Sequence, residues 1–151
     1  MKKYYFSFIF LFLLGCTTVI EDYIFDGKID CPKVTAPIGA EEKIIKTSKG
    51  IDTYIGFRGV KTSCLLKGSV IKMDLKVNVR VIRKQIEIDD DLPIKISLVS
   101  INADKNIYDR DDFNDDIFLK KGSRIVERTT NMSVDVIEKG KVLLGLKQDE
   151  L

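Results

Sequence analysis

The chain has no His and no Trp in 151 residues. Without His there is no Ser-His-Asp or Cys-His nucleophilic catalysis, no His-ligated zinc and no imidazole base. Aromatic residues make up only 9% of the chain, and many of them lie before residue 16. Those that follow are Tyr23, Phe25, Tyr54, Phe57, Tyr108, Phe113 and Phe118. They are too scattered to form a stacking platform for single-stranded nucleic acid or carbohydrate. Neither sign of charge is in excess: the formal net charge is +2. No bulk field therefore draws in nucleic acid or an acidic substrate. Internal repeats and low-complexity tracts are also missing. What remains is a 44% apolar chain of a length that suits one ordinary domain with one core.

The start of the sequence is its most specific part. Met1-Lys2-Lys3 is followed by an apolar run from Tyr4 to Leu14, then Gly15 and Cys16. A charged start, a short apolar stretch and small residues at its end describe a secretory signal peptide. The run is well short of the ~20 residues of a membrane-spanning helix. Leu13-Leu14-Gly15-Cys16 resembles the bacterial lipobox. That resemblance implies cleavage after Gly15 and attachment of diacylglycerol and an acyl chain such as palmitate to Cys16. Two or three chains, at ~0.8 kcal/mol for each buried CH₂, anchor a protein stably. From Cys16 onward the basic and acidic side chains balance, because only Lys2 and Lys3 are lost with the signal.

If Cys16 carries lipid, Cys31 and Cys64 are left over. An exported protein sits in an oxidising compartment, so a Cys31–Cys64 disulfide is expected. Its loop would contribute about 3–4 kcal/mol in the chain-entropy picture. Two free buried thiols are the alternative. Two Cys without His make a poor metal site, and the C-x-x-C spacing of a redox pair is missing.

Residues 1–15 thus read as a signal peptide, 16–50 as an acylated tether and lead-in segment, and 51–151 as one β domain. A short helical turn is expected at Ala40 to Lys46. Period two then takes over: Met73, Leu75, Val77, Val79 and Val81 alternate with Lys72, Asp74, Lys76, Asn78 and Arg80. Further strands are expected at Leu92 to Ile101, Ile117 to Leu119, Arg124 to Glu138 and Val142 to Lys147, with hairpin turns at Lys67-Gly68 and Lys139-Gly140. Six or seven strands at this spacing suggest an all-β antiparallel sandwich, immunoglobulin- or fibronectin-like in architecture. A small barrel is the alternative.

Candidate chemistry is sparse. Asp109, Asp111, Asp112, Asp115 and Asp116, with Asn114, supply the hard oxygen ligands that Ca²⁺ takes. The glycine and distal glutamate of an EF-hand are missing, and a solvated acidic loop is the plainer reading. Asp89-Asp90-Asp91 reads as a turn. Ser63 and Ser69 have no base beyond a lysine, and Gly56 and Gly59 flank Phe57-Arg58 without a following helix, so no phosphate loop forms. Lys72, Lys76 and Arg80 line a wet strand face that could meet anionic headgroups. Asn131-Met132-Ser133 fits a glycosylation sequon and Gln148-Asp149-Glu150-Leu151 a retention tetrapeptide, but only a eukaryotic secretory route would use either.

Together, Leu13-Leu14-Gly15-Cys16, Cys31-Pro32, Cys64 ahead of a long alternating strand and the ending Val142 to Leu151 resemble the small uncharacterised envelope lipoproteins of proteobacteria, the alphaproteobacterial type above all. The resemblance implies an envelope location and brings no catalytic residues. Thr17 after the acylated Cys resembles outer-membrane sorting. The expectation is a non-enzymatic, cofactor-free structural or assembly module facing the periplasm, held by its lipid to the membrane and bound to another envelope protein. A small-ligand or lipid carrier, with a cavity between the sheets, is the alternative.

Overall fold

The computed structural model describes residues 27–147. The residues expected to form a signal peptide and to carry lipid, Gly15 and Cys16 among them, lie outside the described residues. The secondary structure among the described residues is strand, in nine elements: β1 (Gly27–Lys28), β2 (Val34–Thr35), β3 (Glu42–Lys46), β4 (Asp52–Lys67), β5 (Val70–Ile82), β6 (Asp90–Ile101), β7 (Ile107–Leu119), β8 (Ile125–Ile137) and β9 (Lys141–Lys147).

The alternation in β5 decides how the molecule is layered. Met73, Leu75, Val77, Val79 and Val81 are buried, while Lys72, Asp74 and Lys76 between them are exposed. β8 pairs with β5 over Val70–Ile82 and repeats the pattern with Met132, Val134 and Val136. On its other side β5 pairs with β4. The first sheet runs β1-β4-β5-β8, with β3 sharing the β1 edge of β4. The second sheet runs β2-β9-β6-β7 and is antiparallel except where β2 runs parallel to β9. Leu92, Ile94, Ile96 and Leu98 of β6 and Val142, Leu144 and Leu146 of β9 form its inner face. The result is a sandwich-like all-β fold, with the two apolar faces turned toward each other. Each such side chain contributes about 1.5–3 kcal/mol relative to leaving it in water.

The β4–β5 hairpin turns at Lys67-Gly68 as expected, but the expected hairpin at Lys139-Gly140 does not form: β8 and β9 lie in different sheets, so this turn carries the chain from one sheet to the other. Gly68 has φ +60° and lets β4 turn into β5 without a Cβ clash. At Gly140 the constraint is space: a Cβ would stand 2.8 Å from the Ile137 carbonyl oxygen and 2.9 Å from Val136 Cγ1.

Two further expectations need correction. Ala40 to Lys46 does not form a helical turn. Glu42–Lys46 is β3, paired antiparallel with Lys46↔Asp52 through Glu42↔Gly56. The acidic stretch after residue 107 is not a loop ahead of a short strand. It belongs to β7, which pairs with β6 from Ile107 to Leu119.

Candidate functional site

Cys31 and Cys64 form a disulfide, with Cα atoms 5.3 Å apart. It fastens the segment after β1 to the end of β4, beside the hydrogen bond from Ile29 N–H to the Cys64 carbonyl.

The five Asp residues of β7 do not converge. Period two splits them between two faces. Asp109, Asp111 and Asp115 share the face of buried Ile117 and Leu119, whereas Asp112 and Asp116 lie on the opposite, exposed face. The inner three serve β8, which has no strand neighbour on this side. Asp109 Oδ2 accepts the Asp135 N–H at 2.8 Å, and Asp111 Oδ2 accepts the Ser133 N–H at 2.9 Å. Asp115 Oδ2 pairs with Arg128 at 2.7 Å. On the outer face Asp112 takes the Ser97 hydroxyl at 2.6 Å and pairs with Arg110 and Lys147. Among the described residues no group of three or more His, Cys, Asp or Glu is arranged to hold a metal ion.

Asp89-Asp90-Asp91 lies at the start of β6 and in the bend before it. Asp89 Oδ1 accepts the Lys121 N–H, and the Asp89 carbonyl accepts from Lys49 Nζ. Asp90 is buried, and its Oδ1 collects the N–H groups of Asp91 at 2.9 Å and Lys49 at 3.3 Å. Its carboxyl is held below the ordinary value of 3.8. Burial is the largest single influence and acts upward. The Thr47 hydroxyl, the two N–H groups and the Lys49 charge together outweigh it. Asp90 Oδ2 has no hydrogen-bond partner; the two N–H groups bind Oδ1.

Nearby, Arg83 is only 2% exposed, and its guanidinium donates to the carbonyls of Leu119 (2.9 Å), Lys120 (3.1 Å) and Ile88 (2.8 Å). It ties the β5–β6 connection to the β7–β8 connection. Sequence reading passed over Arg83, since a lone Arg after a strand carries no local signal of burial.

The outer face of the first sheet carries a shallow open trough of about 430 Å³, lined by Lys61, Ser63, Asp74, Lys76, Asn131 and Ser133 among others. Lys61 stands directly opposite Lys76, and Lys76 opposite Asn131, so this cross-strand row has two cations and no acid. Arg80, farther along β5, is matched by Glu127 at 2.7 Å. Ser63 sits exposed in the trough beside Asp74, and Ser69 lies in the β4–β5 turn. Gly56 lies within β4, and a Cβ there would meet the Tyr54 hydroxyl at 2.7 Å, which itself donates to Glu42 at 2.6 Å. Asn131 is exposed on β8. The outer face of the second sheet carries an apolar groove of about 320 Å³ containing Pro37, Val99, Ile101, Ile107 and Leu143.

The least expected feature is on the free edge of β4. β3 covers Asp52 to Gly56, and the Glu41 carbonyl accepts the Phe57 N–H. β1 covers Leu65 and Leu66, and Ile29 reaches the Cys64 carbonyl. Among the described residues nothing pairs with residues 58–63 on that edge, and all six are exposed. The bulge between Phe57 and Gly59 lies at one end of this gap.

No protein-family model matches the chain, and it matches neither a curated protein nor a solved structure.

Proposed function

We propose that this chain is a lipid-anchored envelope lipoprotein of the proteobacterial type, which works in the periplasm as a non-enzymatic structural or assembly module. The observation that carries the reading is where the free space lies. The gap between the sheets is filled by the buried apolar side chains of β5, β8, β6 and β9. The clefts described above open instead on the outer faces. A carrier needs an enclosed apolar cavity of several hundred Å³. A filled interior with clefted outer faces suits a protein that offers its surfaces to another.

Strand order supports the finer, immunoglobulin-like class. Counting from β4, the first, second and fifth long strands share one sheet, and the third, fourth and sixth share the other. That is the A-B-E and C′-C-F arrangement of such domains. The seventh position, beside β9, is taken by the chain's own β2 and by the Ala40 carbonyl, which accepts the Leu146 N–H.

The route of the chain supports the anchor. Gly27 pairs with Leu66, at the end of the sandwich that carries the turns at Gly68, Asn102–Asn106 and Gly140. Lys67, Lys105, Lys139 and Lys141 are exposed there against two exposed acids, Asp104 and Glu138, and none of the four is in an ion pair among the described residues. The residues from Cys16 to Gly27 span at most about 36–40 Å when extended. Lipid on Cys16 would therefore hold this basic end toward an anionic headgroup layer, where each Lys contributes about 1 kcal/mol.

Mass spectrometry of the mature protein should find acyl groups on Cys16. An unmodified N-terminus at another residue would remove the envelope assignment. In-cell crosslinking of the tagged protein, with Cys16→Ala as control, should recover one near-stoichiometric envelope protein that the control loses. A clean preparation carrying co-purified lipid and no protein would reject the module reading in favour of a carrier.

A further inference from the structure

We propose that the gap at residues 58–63 of β4 receives an extended segment of the partner protein as an added β-strand, with an acidic side chain opposite Lys61. The proposal deepens the assembly-module reading and rests on it.

The gap has the hydrogen-bonding chemistry of an unfinished sheet. Cys64 turns its carbonyl to the β1 side, where Ile29 takes it. Period two gives Thr62 and Val60 the same sense, so the N–H and C=O of both point into the gap. Lys61 and Ser63 turn theirs to β5. A sheet edge left open in this way is a template for another strand.

Its shape selects the occupant. β3 and β1 flank the gap on the same edge, each one strand deep, about 4.8 Å. They hold off the broad edge of a second sheet, including that of a second copy, and admit one strand. Six residues span about 20 Å, enough for a strand of five or six residues.

Its side chains select the sequence. Val60 shares the inner-facing side of β4, opposite buried Val77, yet is 36% exposed because nothing flanks it. An apolar residue on the added strand would cover it. On the outer face the Lys61–Lys76–Asn131 row places two like charges directly opposite each other, an arrangement that disfavours the sheet unless an acid joins it. An Asp or Glu on the added strand completes that row, and exposed Arg58 adds a further cation at the gap. The segment is therefore β-prone, apolar on alternate residues and acidic between them.

The test uses the full-length protein in mild detergent and an acetylated octapeptide of alternating Val and Glu, with a Val-Lys twin as control. At saturating Val-Glu peptide, amide exchange at Val60 and Thr62 should slow at least tenfold, while the twin binds at least tenfold more weakly. Thr62→Pro removes one donor from the gap and none from the β5 ladder, so it should keep the melting temperature and lose the peptide. Lys61→Glu, which touches no backbone, should reverse the peptide preference and carries the test if Thr62→Pro does not fold. Unchanged exchange at Val60 and Thr62, or full binding to Thr62→Pro, would overturn the proposal. So would protection that rises with protein concentration alone, which would place a second copy in the gap. In cells, a partner crosslinked equally well to Thr62→Pro rejects the gap and leaves the module reading standing. A wild-type chain with no partner at all rejects the module reading, and the peptide result judges the gap by itself.

Discussion

Two charged side chains, Arg83 and Asp90, are buried among the described residues. Arg83 has no carboxylate partner among the described residues; its guanidinium is satisfied by the main-chain carbonyls of Leu119, Lys120 and Ile88. Truncation removes the guanidinium donors from those carbonyls, of which Lys120's keeps the Ser123 N–H, and opens a cavity, so Arg83→Ala should cost about 3–5 kcal/mol in chemical denaturation. Arg83→Lys keeps the charge but loses the planar fork and should recover only part of that loss. Asp90 makes a pH-dependent contribution. Its folded pKa lies below its ordinary 3.8, so the stabilisation is present above that value and is lost as pH falls through the folded pKa. Melting temperatures followed from pH 6 downward should fall more steeply below about pH 4 in the wild type than in Asp90→Asn. Equal slopes would show that Asp90 is not the group responsible.

At the level of elements, β7 shows how an edge is closed without a strand. Its inner face is half acidic and half apolar, and the acidic half meets the free N–H groups of β8. Inward-pointing charge of this kind blunts a sheet edge against association. Removing both carboxylates in Asp109→Ala with Asp111→Ala should cost about 1–3 kcal/mol and bare two donors of β8. Size-exclusion chromatography at rising concentration should then show self-association that the wild type lacks. A monomer at every concentration would mean the aspartates only fill hydrogen bonds. Here the sequence was hard to read. Period-two hydrophobicity marks β5, β8 and β9, because their inward residues are apolar. In β7 the inward residues include Asp109, Asp111 and Asp115, whose partners lie on a strand that follows later in the chain. Hydrophobic alternation registers only the apolar end at Ile117 and Leu119. The same limit explains β3: Ala40 to Lys46 suits one helical turn locally, and only pairing with Asp52–Gly56 makes Glu42–Lys46 a strand.

Over the whole molecule, the disulfide and the N-terminal segment act together. The segment from Gly27 to Lys46 passes from the first sheet to the second and back, pairing with β4, β9 and β4 again. Cys31–Cys64 links residues 33 apart in sequence, and its loss should cost about 3–4 kcal/mol in the chain-entropy account. Reduction, or Cys31→Ala with Cys64→Ala, should lower the denaturation midpoint by a corresponding amount. The effect should centre on β1, seen as faster amide exchange at Ile29 than at Val77 in the core. Uniform loss across both sheets would mean that the segment is part of one cooperative unit with the sandwich.

The sequence by itself determined the chemistry the protein lacks, the lipobox-like start, the apolar-faced strands β5, β6, β8 and β9 and the sense in which their side chains alternate. All of these depend on residue identity or on short-range period, which the backbone imposes within a few residues. The tertiary structure alone decided which strands became neighbours, where Arg83 and Asp90 were buried, how five aspartates divided between two faces, and which six residues of β4 have one edge unpaired among the described residues. Those depend on pairing between segments far apart in the chain, where the free energy of a contact belongs to both partners and neither segment encodes it alone.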